Sequence, residues 1–213
     1  ERAWHFQIVH HDIWNFDLPT APILLDVNTE QGPTKIVAQP TKQGLVYTFN
    51  RETGEPIWPI EEVPFPSSIV PGEQLAATQP IPTKPAPFDM QGLSLDTLVD
   101  FTPEIYAQAV AAVADYQLGP LFNPPLHRDN PLGKISSMIC PSGAVNITHP
   151  SVADPTTGIL YVTSRSSCSA RPLVSGEEAD TYYDAPTGTT LSQYAAGRGG
   201  STPRHPLGIP LWK

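Results

Sequence analysis

Residues 10–17, HHDIWNFD, pack two histidines, two aspartates, an asparagine and a tryptophan into one short run near the start of the chain. Side chains of this kind handle protons. A carboxylate or imidazole within hydrogen-bond reach of a hydroxyl can act as general base, whereas a carboxamide only donates and accepts hydrogen bonds. If the run is extended, side chains alternate with period two, so Asp17 shares a face with Asn15 while Asp12 faces away with Trp14 and Phe16. That alternation favours Asp17 over Asp12 as the carboxylate that works beside Asn15. Among the remaining histidines, His10, His11, His127 and His149 offer no pair with the i, i+4 spacing of a helical zinc site, and structural hydrogen bonding is the role expected of each. Cys140 and Cys168 have neither CxxC spacing nor a paired histidine motif; one disulfide and two buried thiols both fit.

The elements that must position these groups read mainly as strands. Residues 4–9, 21–27, 34–39, 45–50 and 56–60 are β-branched, aromatic or apolar and are separated by Gly- or Pro-marked breaks, which predicts an antiparallel sheet of a sandwich, barrel or propeller. Seven prolines between Glu61 and Gly92 predict an extended loop there. A helix is expected over about 102–117, with Thr102 as cap, Pro103 in the first turn and Gly119-Pro120 as the stop. Strand character returns over 158–164, and the Gly-, Ser-, Thr- and Pro-rich stretch 175–208 reads as loop.

Composition sets limits. The chain has 213 residues, enough for one domain, but its 26 prolines and 15 glycines exclude a helix-dominated fold. With 12 Lys plus Arg against 21 Asp plus Glu the net charge is −9, and no basic cluster exists to engage phosphates, so a nucleic-acid partner is excluded. No apolar run approaches the ~20 residues that span a bilayer, and the N-terminus lacks the regions of a signal peptide.

The stretch 45–58, LVYTFNRETGEPIW, is more specific: a strand, a turn closed by Gly54, and a second segment running to a tryptophan. ERAWHF at the start looks like the end of another such unit, with Trp4 in the place of Trp58. This motif resembles the tryptophan-docking repeat of the PQQ-dependent quinoprotein dehydrogenases, which are eight-bladed β-propellers. WHFQIVHHDIWNFDLPTAPILLDV resembles the catalytic stretch of that family, above all of its membrane-associated glucose dehydrogenase branch. TQPIPTKPAPFD, DFTPEIYAQAV and GPLFNPP resemble its long inter-blade insertion, DPTTGILYV a later blade strand, and HPLGIPLWK the lead-in to another blade. The resemblance thus runs in order over nearly the whole chain.

The resemblance implies an all-β fold: an interior fragment of the propeller, about one full blade plus parts of its neighbours, with a loop and helix insertion. Residues 1–60 would form the blade with its docking motif, 61–134 the Pro-rich insertion, 135–174 part of the next blade, and 175–213 a loop toward a further one. It implies pyrroloquinoline quinone (PQQ) and Ca²⁺ as cofactors, and an alcohol, sugar or polyol as substrate. A quinone or cytochrome would accept the electrons, in the periplasm, with membrane attachment through other parts of the chain.

In the family pattern His-His-Asp or His-Asn-Asp, an apolar residue and Trp precede the catalytic Asp; here His11, Asp12, Ile13 and Trp14 align and the base position falls on Asn15. An amide oxygen at Asn15 can still serve as a calcium ligand, but it has no proton-accepting pKa to act as base. Asp17, and after it Asp12, is the candidate substitute. Lys42 in PTKQG occupies the place of a basic residue that contacts the quinone oxygens, and Asn146 in PSGAVNITHP resembles an asparagine that reaches the cofactor. Asn146-Ile147-Thr148 also fits the glycosylation acceptor pattern. The departure at Asn15 opens a second reading, a propeller that has lost catalysis and serves as a binding module.

Overall fold

The computed structural model describes residues 2–29, 32–146, 150–175, 194–196 and 202–213. The chain forms two compact units, Glu1–Phe65 with Leu75–Gln91 and Pro141–Ser167, and Pro66–Gln74 with Gly92–Cys140 and Cys168–Lys213. Strands outnumber helices, with a single α-helix among the described residues. No helix among the described residues is long and apolar enough to cross a membrane.

The first unit is built on an antiparallel sheet of β1 (Ile23–Thr29), β2 (Gly32–Pro40) and β3 (Val46–Asn50), in that order. Leu25 pairs with Ile36 and Ala38 with Thr48, all four buried, which fixes the register because a one-residue slip would turn the apolar set to the other face. Between β2 and β3 the chain reverses through residues 41–44: Gly44 N–H donates to Thr41 O (3.1 Å) and Thr41 N–H to Leu45 O (3.0 Å). Gly44 has φ 76, and a Cβ there would lie 2.8 Å from Asp89 Cβ, so only glycine fits.

The strand expected over 56–60 reduces to a bridge, Phe49 with Pro56, and one further bond from Ile57 N–H to Thr48 O (2.9 Å). Pro56 and Pro59 have no N–H to extend it. The strand expected over 4–9 is not formed either. Side chains hold that segment instead: Trp4 Nε1–H donates to Arg51 O (3.0 Å), and the Trp4 and Phe6 rings lie 5.5 and 5.0 Å from that of Phe49.

The expectation of an irregular 61–92 is corrected by a two-stranded ribbon, β4 (Ile60–Pro64) paired antiparallel with β5 (Thr78–Pro82). Its pairs are Ile60 with Pro82, Glu62 with Pro80 and Pro64 with Thr78. The three prolines therefore all fall on alternate pairs, whose N–H positions point out of a two-stranded ladder, and none costs it a bond. Tyr47 ties the ribbon to β3 by donating its hydroxyl to Pro80 O (2.6 Å). Burial, reinforced by the Glu62 carboxylate, pushes the Tyr47 phenol well above its usual range, so it remains a neutral donor. Further along, Val152–Asp154 pairs with Ile159–Tyr161, a shorter strand than the 158–164 expected. Its turn is capped by Asp154, whose carboxyl is held below the usual range first by the Thr156 backbone N–H.

In the second unit α1 (Pro103–Val113) starts as expected, Thr102 Oγ1 accepting from Ile105 N–H (3.3 Å), but it ends before 117. Tyr116–Gln117 leaves it to run parallel to Ser136–Ser137, and Lys134 Nζ caps Ala114 O (2.6 Å). Cys140 and Cys168 form a disulfide, closing the loop 141–167. The tail read as loop contributes Tyr194–Ala196, paired with Leu173–Ser175, and a bridge of Trp212 with Leu98.

Gly54 has φ 80, and a Cβ there would lie 2.7 Å from the Trp4 indole. Gly54→Ala is expected to destabilise the folded protein by about 2–4 kcal/mol, from left-handed backbone strain plus displacement of the indole. Denaturant unfolding of the full-length protein followed by tryptophan fluorescence measures it, and a change below half a kilocalorie would contradict the packing.

Candidate functional site

The loop 10–17 is shaped by its own carboxylate. Asp12 Oδ1 accepts from Trp14 N–H (2.8 Å) and Oδ2 from Phe16 N–H (2.7 Å), so both oxygens serve as main-chain caps. The run is not a strand: His11 and Asn15 sit at φ 48 and 63, where asparagine is among the better tolerated residues. Burial still alternates over 14–17. Trp14 and Phe16 are buried and stack at 6.3 Å, while Asn15 and Asp17 are exposed. Asp12 departs from the strand-like expectation; it is exposed and folds back over the loop rather than pointing inward with the aromatics.

Two contacts hold the ends of this loop. At its head, His10 N–H donates to Gln79 Oε1 (2.8 Å) and Gln79 Nε2–H donates to His10 O (2.8 Å), while His10 Nε2 meets Glu62 Oε1 (3.0 Å). The His10 hydrogen bond, followed by that of Thr78, holds the Glu62 carboxyl below the usual carboxylate range. At its tail, Lys42 Nζ forms an ion pair with Asp17. Lys42 lies on the turn 41–44, and only 15% of its side chain is exposed, against 56% for Asp17.

The turn that carries Lys42 is braced from two sides. Phe88 N–H donates to Gly44 O (2.8 Å) and Gln91 Nε2–H to Gln43 O (2.7 Å), while Ala144 N–H donates to Lys42 O (2.9 Å). The last bond brings 142–146 alongside, with half-buried Asn146 two residues beyond it. Asn15, Asp17, Lys42 and Asn146 thus all belong to the same unit. An open groove of about 310 Å³ runs past the loop, lined among others by Phe6, Val9, Asp12, Phe16, Asp17 and Leu18.

Chemically, the arrangement offers one carboxylate, Asp17, held by a cation at the groove, and one exposed amide, Asn15, whose side chain has no hydrogen bond among the described residues. Lys42 and Asn146 are hydrogen-bond donors suited to carboxylate and quinone oxygens. Among the described residues no group of three or more His, Cys, Asp or Glu side chains could hold a metal ion, so Asn15 stands as a single amide oxygen in this respect. His127 meets Ser175 Oγ at 3.1 Å, and His149 lies outside the described residues. Gln79 and Gln91 were not singled out from the sequence. Each contacts a residue 48 or more positions away, which no local pattern signals.

Over residues 1–211 the chain matches the PQQ family of glucose/ethanol/alcohol dehydrogenase β-propeller domains. It is 40% identical over 80 residues to a quinoprotein glucose dehydrogenase of Gluconobacter oxydans (strain 621H), covering 37% of this chain and 10% of that protein. It is 43% identical over 79 residues to a probable quinate dehydrogenase (quinone) of Xanthomonas campestris pv. juglandis, again 37% of this chain and 10% of that protein. A glycerol dehydrogenase large subunit of G. oxydans is 39% identical over 79 residues, 36% of this chain and 11% of the relative. The matched stretch is about a tenth of each relative's length. No solved structure matches.

Asp12→Ala is expected to release the Trp14 and Phe16 amides, speeding their hydrogen exchange by at least about tenfold for a loss near 1–2 kcal/mol of local stability. Asp12→Asn, which keeps one acceptor oxygen, should show a smaller effect. Equal exchange in both variants and the parent would mean that the carboxylate does not hold the loop.

Proposed function

The chain belongs to the PQQ-dependent glucose/ethanol/alcohol dehydrogenase β-propeller family, and from that premise we propose that the whole protein oxidises a hydroxyl-bearing small molecule with Asp17 as its general base. The observation that carries the assignment is the Asp17–Lys42 ion pair beside the groove. Asn15, at the family's base position, has no basic lone pair to offer at neutral pH, and both oxygens of Asp12 are taken by main-chain N–H groups. Asp17 carries a carboxylate two residues further on and is exposed, as Asn15 is.

The division of labour follows from the side chains. Lys42 pairs with the Asp17 carboxylate and orients it, and would offer positive charge to the oxygens of a bound cofactor. PQQ, when bound, supplies the acceptor for the hydride equivalent. Asp17 takes the hydroxyl proton, which requires an approach within about 3 Å or through one water. Asn146 would donate its amide to the bound cofactor, and Asn15 would offer its amide oxygen to Ca²⁺, whose other ligands we assign to the rest of the protein. Trp4 lies over the Gly54 peptide and donates to Arg51 O, which supports reading it as the docking tryptophan of a preceding blade. Trp58 would make the same contact with the next one. The substrate class we propose is a sugar, polyol or hydroxy acid, after the glucose, glycerol and quinate of the relatives' names, with a quinone or cytochrome as acceptor. The compartment we propose is the periplasm, with attachment to the membrane through other parts of the protein.

The test uses the full-length protein reconstituted with PQQ and Ca²⁺ and assayed with a dye acceptor against glucose, glycerol, quinate and ethanol. Asp17→Asn is expected to lower kcat by about 10²–10⁴-fold, the usual contribution of a general base. Asn15→Asp is expected to raise it. Turnover that survives Asp17→Asn would overturn the base assignment. Tight PQQ binding without turnover of any substrate would instead leave a propeller that binds its cofactor without catalysis.

A further inference from the structure

We propose that Gln79 is a positioning residue for the catalytic loop, a buried carboxamide whose two hydrogen bonds to the main chain of His10 set where Asn15 and Asp17 stand. The proposal rests on the dehydrogenase reading of that loop. Gln79 is 1% exposed, and its amide oxygen and nitrogen meet His10 N–H and His10 O, each at 2.8 Å. One side chain thereby imitates the paired donor and acceptor of a neighbouring strand at a point where the chain has none.

The position of the clamp makes it consequential. Directly after it, His11 turns the backbone at φ 48, and the Asp12 caps follow. Those caps are internal to the loop: they hold its shape but not its place. Gln79 joins that shape to β5, which is itself fixed by pairing with β4 and by the Tyr47 hydroxyl. The contact at the other end, Lys42 with Asp17, is one ion pair to an exposed carboxylate and constrains direction less than a buried, doubly bonded amide. A shift of about 1 Å in a reacting group can cost two orders of magnitude in rate, so the buried end decides the precision of the exposed one.

Only a carboxamide of this length serves. Asparagine is one methylene too short, an ionised carboxylate cannot donate to His10 O, and leucine leaves both His10 groups without partners. A protonated carboxyl, however, has one acceptor and one donor in nearly the geometry of the amide. That gives a test whose signature a general loss of stability would not produce.

Gln79→Leu and Gln79→Glu would be made in the full-length protein and read two ways. One is kcat and KM with dye acceptor across pH; the other is hydrogen exchange of residues 10–17 against that of β1–β3, which needs no turnover. For Gln79→Leu the expected result is a kcat lower by about 10- to 100-fold. KM and PQQ affinity should change by less than about threefold, and exchange should be faster by at least about tenfold in 10–17 only. For Gln79→Glu, activity and loop protection should approach the parent at low pH and fall together as the introduced carboxyl ionises. His10, Glu61, Glu62 and Tyr47, the titratable groups on the packed elements, are present in the parent and serve as its control. Exchange in 10–17 unchanged by Gln79→Leu, or a Gln79→Glu profile that follows the parent at every pH, overturns the proposal. Should Gln79→Leu also lose protection in β1–β3, the Gln79→Glu series decides. A parent without turnover defeats the dehydrogenase reading, and the exchange data then still decide the clamp.

Discussion

Buried N–H and C=O groups that no ladder or helix takes up must find other partners, and in this chain several of those partners are side-chain amides and carboxylates. With 26 prolines the backbone cannot supply enough regular pairing. Gln79 therefore holds His10, Asp12 holds Trp14 and Phe16, and Asn123 donates to the carbonyls of Gln117 and Met138. Each such bond contributes on the order of 1 kcal/mol, but leaving its backbone partner buried and unpaired would cost more. Removing one polar side chain of this kind thus changes the path of the main chain around it.

The candidate site shows what that economy of pairing permits. Its residues come from a loop without secondary structure, from a four-residue turn and from a strand-free segment near Asn146. Each is tied to the β1–β3 sheet or to the β4–β5 ribbon by one or two specific bonds. The sheet supplies rigidity: β3 is buried along nearly its whole length, and its neighbour β2 delivers Lys42 just past its last residue. Asn15 fits this framework because the left-handed backbone it occupies, φ 63, is among those that asparagine tolerates well.

Much of this was legible in the sequence. Strands β1, β2 and β3 were, because β-branched, aromatic and apolar residues cluster in them and glycine or proline marks the breaks between them. So was the start of α1, because Thr102 and Pro103 form a local capping signal. Where the sequence misled, the cause was a competing local signal. Prolines argued against β4 and β5, yet their spacing of two put them where a ladder needs no donor. Trp4 to Val9 had strand composition, yet its own side chains make these hydrogen bonds, Trp4 Nε1–H to Arg51 O and Gln7 Nε2–H to Val9 O.

By itself the sequence determined the family, through motifs that run in order along the chain, and the all-β class. It also determined that position 15 carries an amide and not a carboxylate, since the chemistry of a side chain is a property of the residue alone. Only the tertiary structure decided what each carboxylate of the run contacts. Asp12 and Asp17 look alike in HHDIWNFD; one is consumed in capping its own loop and the other is paired with Lys42, 25 residues away. The Gln79 clamp, 69 residues from its partner, was invisible for the same reason. Short-range patterns encode what a residue is and its local backbone preference, whereas the partner that satisfies it is set by where the fold brings distant segments together.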